Sequence, residues 1–345
     1  KAYLSKFAEE NGGFEAGPIR VYLDRLEGGG EIDENLTPQQ EAARALTESS
    51  YGFFLRNRRS DLAEIYLRLA LELDPDHDKA KLWLGNLLET SERTDEAMAL
   101  YKSVPETSPY IVSGKLSQAN IYFSKEEDDK AIAVLEDTNA SHTSFVTRES
   151  LGRARLIREN YEEALPIYDV LVKSMSEEEL KANPQPLYFR GICYERLKQW
   201  DKAVADFQKV LEINPENAEA LNYLGYTWVD RNENLEEAFE MIRKAVALEP
   251  NSGAIVDSLG WAHYKLGQYS EARIQLEKAV ELSPSSATII DHLGDAYWKL
   301  GRFREAGYQW KRALEFDPTD EERAAIEAKL EGRLKAGAGD AGVMP

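Results

Sequence analysis

A single cysteine, Cys193, stands in 345 residues. It excludes an internal disulfide framework and any Cys-x-x-Cys metal or redox motif. Two residues after Gly191 in a helical pattern, it reads as an inert buried thiol. No run of about 18 apolar residues occurs, so no transmembrane segment is expected. Positive charge is in deficit: 42 Lys and Arg face 62 Asp and Glu, a net charge of -20. Such a molecule repels nucleic acid and anionic lipid surfaces unless it carries a local basic stripe, and none is visible. The four histidines, His77, His142, His263 and His292, lack any His-Glu-x-x-His or similar ligand spacing. Gly28 to Gly30 are not followed by the Lys-Ser or strand-turn-helix context of a phosphate loop. Carboxylate pairs abound, but among 62 acidic residues most are solvated faces. With no convergent catalytic group, no enzymatic activity and no cofactor are expected.

What the chain does contain is repetition. "DSLGWAHYKLGQYSEA" (257–272) returns as "DHLGDAYWKLGRFREA" (291–306), 34 residues later and identical at nine of sixteen positions. A fixed offset of this size marks units too small to bury their own apolar faces, which must stack on neighbours. Each unit ends on a proline signal: "ELDPDH" (72–77), "EINPEN" (212–217), "ALEPNS" (247–252), "ELSPSS" (281–286) and "EFDPTD" (315–320). Proline cannot extend the helix before it and suits the start of the next. Gly85, Gly152, Gly191, Gly225, Gly260 and Gly294 sit mid-way along a first helix, and Ala97, Ala164, Ala203, Ala272 and Ala306 follow most of them at twelve residues. A mid-helix glycine costs about 1 kcal/mol against alanine. Its recurrence implies a second helix packed against that point. Leu276 and Ala279, or Trp310 and Ala313, continue the same face of the second helix.

Eight copies follow: 44–77, 78–111, 112–144, 145–178, 184–217, 218–252, 253–286 and 287–320. In the first, Gly52 stands for the glycine and Ala63 arrives one residue early; the third has Ala119 instead; the sixth carries an extra residue in "VDRNENLEEA". The expected organisation is a helix end plus flexible joint over 1–43, a half-array over 44–178, a seam loop at 179–183, and a second half-array over 184–320. A capping helix (321–336) and a disordered tail (337–345) close the chain. "KAYLSKFAEENGG" at the start reads as the back half of an amphipathic helix, so the sequence is expected to be a piece of a longer protein.

The spacing of Gly, Tyr, Ala, Phe, Ala and Pro resembles the tetratricopeptide repeat family over most of the chain. The resemblance implies an all-α, right-handed superhelical solenoid that binds a protein or peptide in a concave groove. Positions two, five, nine and twelve of each repeat face that groove in the family. Carried over, they are Gln185, Tyr188, Ile192 and Glu195, then Glu219, Asn222, Tyr226 and Val229. The seventh copy supplies Ala254, Asp257, Trp261 and Tyr264; the eighth supplies Thr288, Asp291, Asp295 and Trp298. Tyr188, Asn222, Tyr226, Asp257, Trp261, Tyr264, Asp291, Asp295 and Trp298 are therefore the candidate binding residues. Tyr226, Trp261 and Trp298 are the candidate apolar anchors, against a packing role between repeats for the two tryptophans. The aspartates would repel a terminal carboxylate and favour a neutral or basic ligand.

The sixth to eighth copies further resemble secreted tetratricopeptide proteins of proteobacteria, among them outer-membrane lipoproteins. One of these is the partner of a periplasmic carboxy-terminal processing protease. That likeness implies a periplasmic scaffold, outer-membrane anchored upstream of Lys1, with such a protease as partner. A cytoplasmic assembly co-factor or chaperone adaptor, and the repeat part of a larger enzyme, are the alternatives. The oligomeric state is not legible.

Overall fold

The computed structural model describes residues 36–57 and 60–340, and every regular element among them is a helix. The helix end and most of the joint expected within 1–43 lie outside the described residues, as do 341–345 of the expected tail. The chain divides into two compact units between Arg155 and Leu156. In the first unit α1 (Pro38–Asn57) packs on α2 (Ser60–Leu73), α3 (Asp78–Thr90) on α4 (Thr94–Lys102), and α5 (Ile111–Ser124) on α6 (Asp128–Ser141). After α7 (Phe145–Ile157) the second unit holds α8 (Tyr161–Ser174) and the short α9 (Glu177–Ala182). Four pairs follow: α10 (Gln185–Arg196) with α11 (Trp200–Ile213), α12 (Ala218–Asp230) with α13 (Leu235–Leu248), α14 (Gly253–Lys265) with α15 (Tyr269–Leu282), and α16 (Ala287–Lys299) with α17 (Phe303–Ala313). The last helix, α18 (Asp320–Asp340), packs on α17 and runs beyond the expected 321–336.

The division between units falls inside the fourth copy, whereas the sequence reading places its seam at 179–183. That stretch is helical for a local reason. Ser176 Oγ accepts the Glu179 N–H at 3.2 Å, and Glu179 Oε2 accepts the Ser176 N–H at 2.8 Å, a reciprocal cap that starts α9. Leu180 and Val172 pack with Leu187, Val210 and Ala220, so the segment belongs to the packing of the second unit.

Small residues set the distance within each pair. A Cβ on Gly191 would stand 2.8 Å from Phe207 Cε1, and one on Gly260 would stand 2.6 Å from Leu276 Cγ. The partner helices bury Ala203, Phe207 and Val210, Ala238, Ile242 and Ala245, Ala272, Leu276 and Ala279, or Ala306, Trp310 and Ala313. Each set is one stripe of a helix, small-large-small, with the large side chain lying over the glycine. Gly52 is different. Nothing lies within 4 Å of where its Cβ would be, so it is not the first copy's point of close approach, and Ser50, 1% exposed, is the small buried residue there.

The turns inside the pairs from α3 onward share one device. Glu92, Glu126, Glu159, Lys198, Asn232, Gly267 and Gly301 all have φ between 55° and 74°. The next residue's N–H then reaches back to the helix, as from Glu127 to the Tyr122 carbonyl and from Gln268 to the His263 carbonyl, both at 2.9 Å. Only two of these seven left-handed positions are glycine. The extra residue of the sixth copy is absorbed by a second one, Asn234 at φ 43°, immediately before α13.

Two outcomes follow from this geometry. At Gly225 the obstacle is backbone: a Cβ would lie 2.9 Å from the Ala238 carbonyl oxygen as well as 2.7 Å from Ile242 Cγ1. Gly225→Ala is expected to destabilise the second unit by about 1–3 kcal/mol; an unchanged urea midpoint would contradict the close approach. Glu126→Gly removes a left-handed strain of about 1–2 kcal/mol at an entropic cost of about 0.5–1 kcal/mol. Its midpoint should rise slightly, and a fall would show that the turn is not strained.

Candidate functional site

The first helices α10, α12, α14 and α16 stand side by side and form one face of the second unit. Tyr188, Asn222, Tyr226, Trp261, Tyr264, Asp291, Asp295 and Trp298 are all part-buried on these helices, and Asp257 is buried. Tyr188 meets Tyr223 edge-on at 5.8 Å, and Tyr223 stacks on Phe207 at 5.5 Å. Trp261 lies between two flat neighbours, Tyr264 at 4.7 Å and His292 at 4.1 Å, with Lys265 Nζ 5.5 Å from its ring. Its indole N–H is nevertheless buried without an acceptor. Trp298 turns instead toward its own pair, against Phe303 at 4.6 Å and Trp310 at 5.5 Å. Burial raises the phenols of Tyr188 and Tyr226 well above the usual range, and raises Tyr264 to about 12, with Asp295, Tyr269 and Asp291 adding to it.

The three candidate aspartates are already partnered within the chain. Asp257 accepts from His292 Nδ1 at 3.0 Å through both carboxylate oxygens, and both residues are buried. Asp291 and Asp295 together receive the Lys329 ammonium of α18, at 2.9 and 2.7 Å and at 2.8 Å. Asp295 also accepts the Trp310 indole N–H at 3.1 Å. Burial alone would lower the basicity of Lys329, but the two aspartates outweigh it and hold the amine charged. The sequence reading found no ligand spacing around His292 and had no role for Lys329. Asp257 and His292 are 35 residues apart, one repeat plus one residue, and that offset was the available signal.

His263 is a packing residue, edge-on to Phe239 at 4.9 Å with Nδ1 2.6 Å from Gln268 Oε1. Cys193 is fully buried beside Ala164, Tyr168 and Leu171, and burial pushes its thiol up to about 12. Among the described residues no group of three or more His, Cys, Asp or Glu could hold a metal ion, and no helix is long and apolar enough to cross a membrane. In the first unit a cavity of about 210 Å³ opens between α1, α2 and α3, walled by Tyr51, Leu67, Trp83 and Leu87, with Tyr51 and Trp83 5.3 Å apart. The sequence reading has no counterpart for it.

The buried imidazole gives a pH-dependent contribution of known sign. Burial lowers the His292 pKa, but Asp257, Asp291 and Asp295 together raise it above 6.5; Glu322 and Lys329 also face this cluster. A pKa raised on folding stabilises fully below the unfolded value of about 6.5 and is lost as pH rises through the folded value. The fall in melting temperature between pH 6 and pH 9 should therefore be smaller in His292→Gln than in the parent. Equal falls would show that His292 does not bind its proton more tightly in the folded state.

Comparison with known proteins agrees with this geometry. The tetratricopeptide repeat family matches residues 54–110 and 184–217, and a TPR repeat model matches 260–301. The 184–217 match coincides with the fifth copy. A TPR repeat-containing protein of Pseudomonas aeruginosa is 29% identical over 198 residues, 56% of this chain and 32% of the relative. A CTR9 homologue of Arabidopsis thaliana is 26% identical over 204 residues, 55% of this chain and 18% of the relative. The chain thus spans a third or less of the length of these two curated relatives. A tetratricopeptide repeat protein from Parabacteroides merdae superposes with a TM-score of 0.54 at 18% identity, covering 85% of this chain and 99% of the other. The Cut9–Hcn1 hetero-tetramer of APC/C gives 0.57 at 16%, covering 92% and 59%. These likenesses show the fold, the all-α superhelical class. With matches in both units and the same glycine-set helix pairing, the chain carries tetratricopeptide repeats at 54–110, 184–217 and 260–301.

Proposed function

We propose that the chain is a non-enzymatic scaffold that binds an extended segment of a partner protein on the face made by α10, α12, α14 and α16. The observation that carries this is Trp261. Its ring is clamped between Tyr264 and His292, so little rotamer freedom remains to be lost, while its N–H lacks an acceptor. A rigid aromatic with one unsatisfied polar end is the kind of side chain that dominates binding energy at protein interfaces. A main-chain carbonyl of the ligand completes it. Tyr226 and Tyr188, one and two repeats away, extend the apolar row.

The finer reading places this scaffold in the bacterial cell envelope, joining a carboxy-terminal processing protease to its substrate by multivalent contact. It is supported by the likeness of copies six to eight to envelope repeat proteins. Photo-crosslinking in the source cells tests both levels. Benzoylphenylalanine at exposed Ala254 on α14 is expected to trap a protein partner in the periplasmic or outer-membrane fraction, whereas the same group at exposed Ile274 on α15 should not. Trp261→Ala should weaken that partner by about 2 kcal/mol, roughly thirty-fold. Trapping only from position 274, with undiminished affinity in Trp261→Ala, would refute the face; a cytoplasmic partner would refute the envelope.

A further inference from the structure

The charge-reading part of this face lies at copies five and six, one to three repeats from the aspartates that the repeat pattern singles out. Those aspartates are neutralised by His292 and Lys329. Glu195, at the C-terminal end of α10, has an ion-pair neighbour but no hydrogen bond to its buried Oε2. It is 8% exposed, and its Oε2 is buried without a hydrogen-bond donor. Its nearest cation is the neighbouring Arg196, whose Nε stands 3.4 Å from Oε2 on a side chain that is 52% exposed. Asn222 Oδ1 on α12 is a second buried acceptor with no partner. Tyr226, one helical turn further along α12, feels both Glu195 and Arg196 electrostatically. Leaving a buried acceptor unpaired costs about 1–3 kcal/mol, and here two such acceptors sit on adjacent first helices.

Resting on the binding face described above, we infer that Glu195 and Asn222 form a subsite for a lysine or arginine side chain of the bound segment, with Arg196 holding the place in the free protein. The two unpaired acceptors, one of them a buried carboxylate, define what fits: a group that donates and carries positive charge. A guanidinium or ammonium does both, whereas a carboxylate would be repelled by Glu195. The same face shows that it takes such a group, because Lys329 makes three contacts of 2.7 to 2.9 Å with Asp291 and Asp295 two to three repeats away. Entry requires that Arg196 release the Tyr223 phenol and swing outward into solvent, which its half-exposed side chain allows. Burial raises the Glu195 carboxyl above the usual range. An incoming cation offsets that penalty.

The two neighbours then act with opposite sign, which separates a binding role from a structural one. A random 12-residue peptide library displayed on phage is selected against the full chain, and the recovered sequences are synthesised with each Lys or Arg kept or replaced by norleucine. Recovered peptides are expected to contain a basic residue whose replacement lowers affinity at least tenfold on the parent. That loss should shrink to less than threefold on Glu195→Gln, while Arg196→Ala tightens the basic peptides at least threefold. Arg196→Ala guards against a folding artefact, since its change is a gain. Peptides that tolerate norleucine, or a basic preference untouched by Glu195→Gln, overturn the subsite. If those peptides still lose affinity in Trp261→Ala, the binding face stands without it. If no peptide is recovered, or none responds to Trp261→Ala, both fall.

Discussion

The distance between the two helices of a pair governs much of what this protein presents to its surroundings. At Gly225 the partner helix comes so close that a methyl group would meet a main-chain oxygen, and at Gly191 and Gly260 it would meet the large side chain of the partner's buried stripe. Interiors this tightly packed do not deform continuously. The pair therefore has one rotation about each helix axis that fits. Once that rotation is fixed, every fourth or third residue of the first helix has its direction fixed too, and the side chains of α10, α12, α14 and α16 become a row with a defined register.

Such a row has its own electrostatic problem. The chain carries an excess of acid, and several acids fall on the first helices, where neighbouring helices strip water from them. The unit resolves this one residue at a time. His292 reaches back one repeat to Asp257, Lys329 reaches in from the last helix to two aspartates, and Arg190 takes Asp206 through two hydrogen bonds of 2.7 and 2.8 Å. Breaking any of these would strand a buried charge, which is far more costly than the pair is worth. Glu195 is the exception among them: its neighbouring cation lies within ion-pair distance but makes no hydrogen bond to Oε2.

Pairing distance is legible in sequence because it is written in residue size, and a glycine with an alanine twelve residues on survives any change of surface. Hence the helix pairs of copies two, five, six, seven and eight stand where the repeat pattern puts them. The first copy was misread at Gly52 because a glycine was present for no packing reason, two residues from the small residue that is buried, Ser50. With the register displaced, the cavity beside Tyr51 and Trp83 had no sequence signature. The left-handed turns were equally silent, since glutamate, lysine and asparagine fill five of the seven positions where glycine would have announced them.

The site was less legible than the fold for a different reason. Position within a repeat tells which side chains share a face, but not which of them are spent on one another. Asp257 and Asp291 occupy the same position in consecutive copies, yet one is held by an imidazole of the next repeat and the other by a lysine from outside the array. Trp261 and Trp298 belong to equally similar helices, yet one stands clamped on the shared face and the other packs into its own pair against Trp310. Neighbour identity decides this, and a repeat sequence conceals neighbours by making every unit look alike. On the proposed reading, what marks a binding residue on this face is an unmet bond, as at Trp261 Nε1, Asn222 Oδ1 and Glu195 Oε2. Those three atoms lie on three successive first helices, which is the arrangement an extended segment would satisfy in turn.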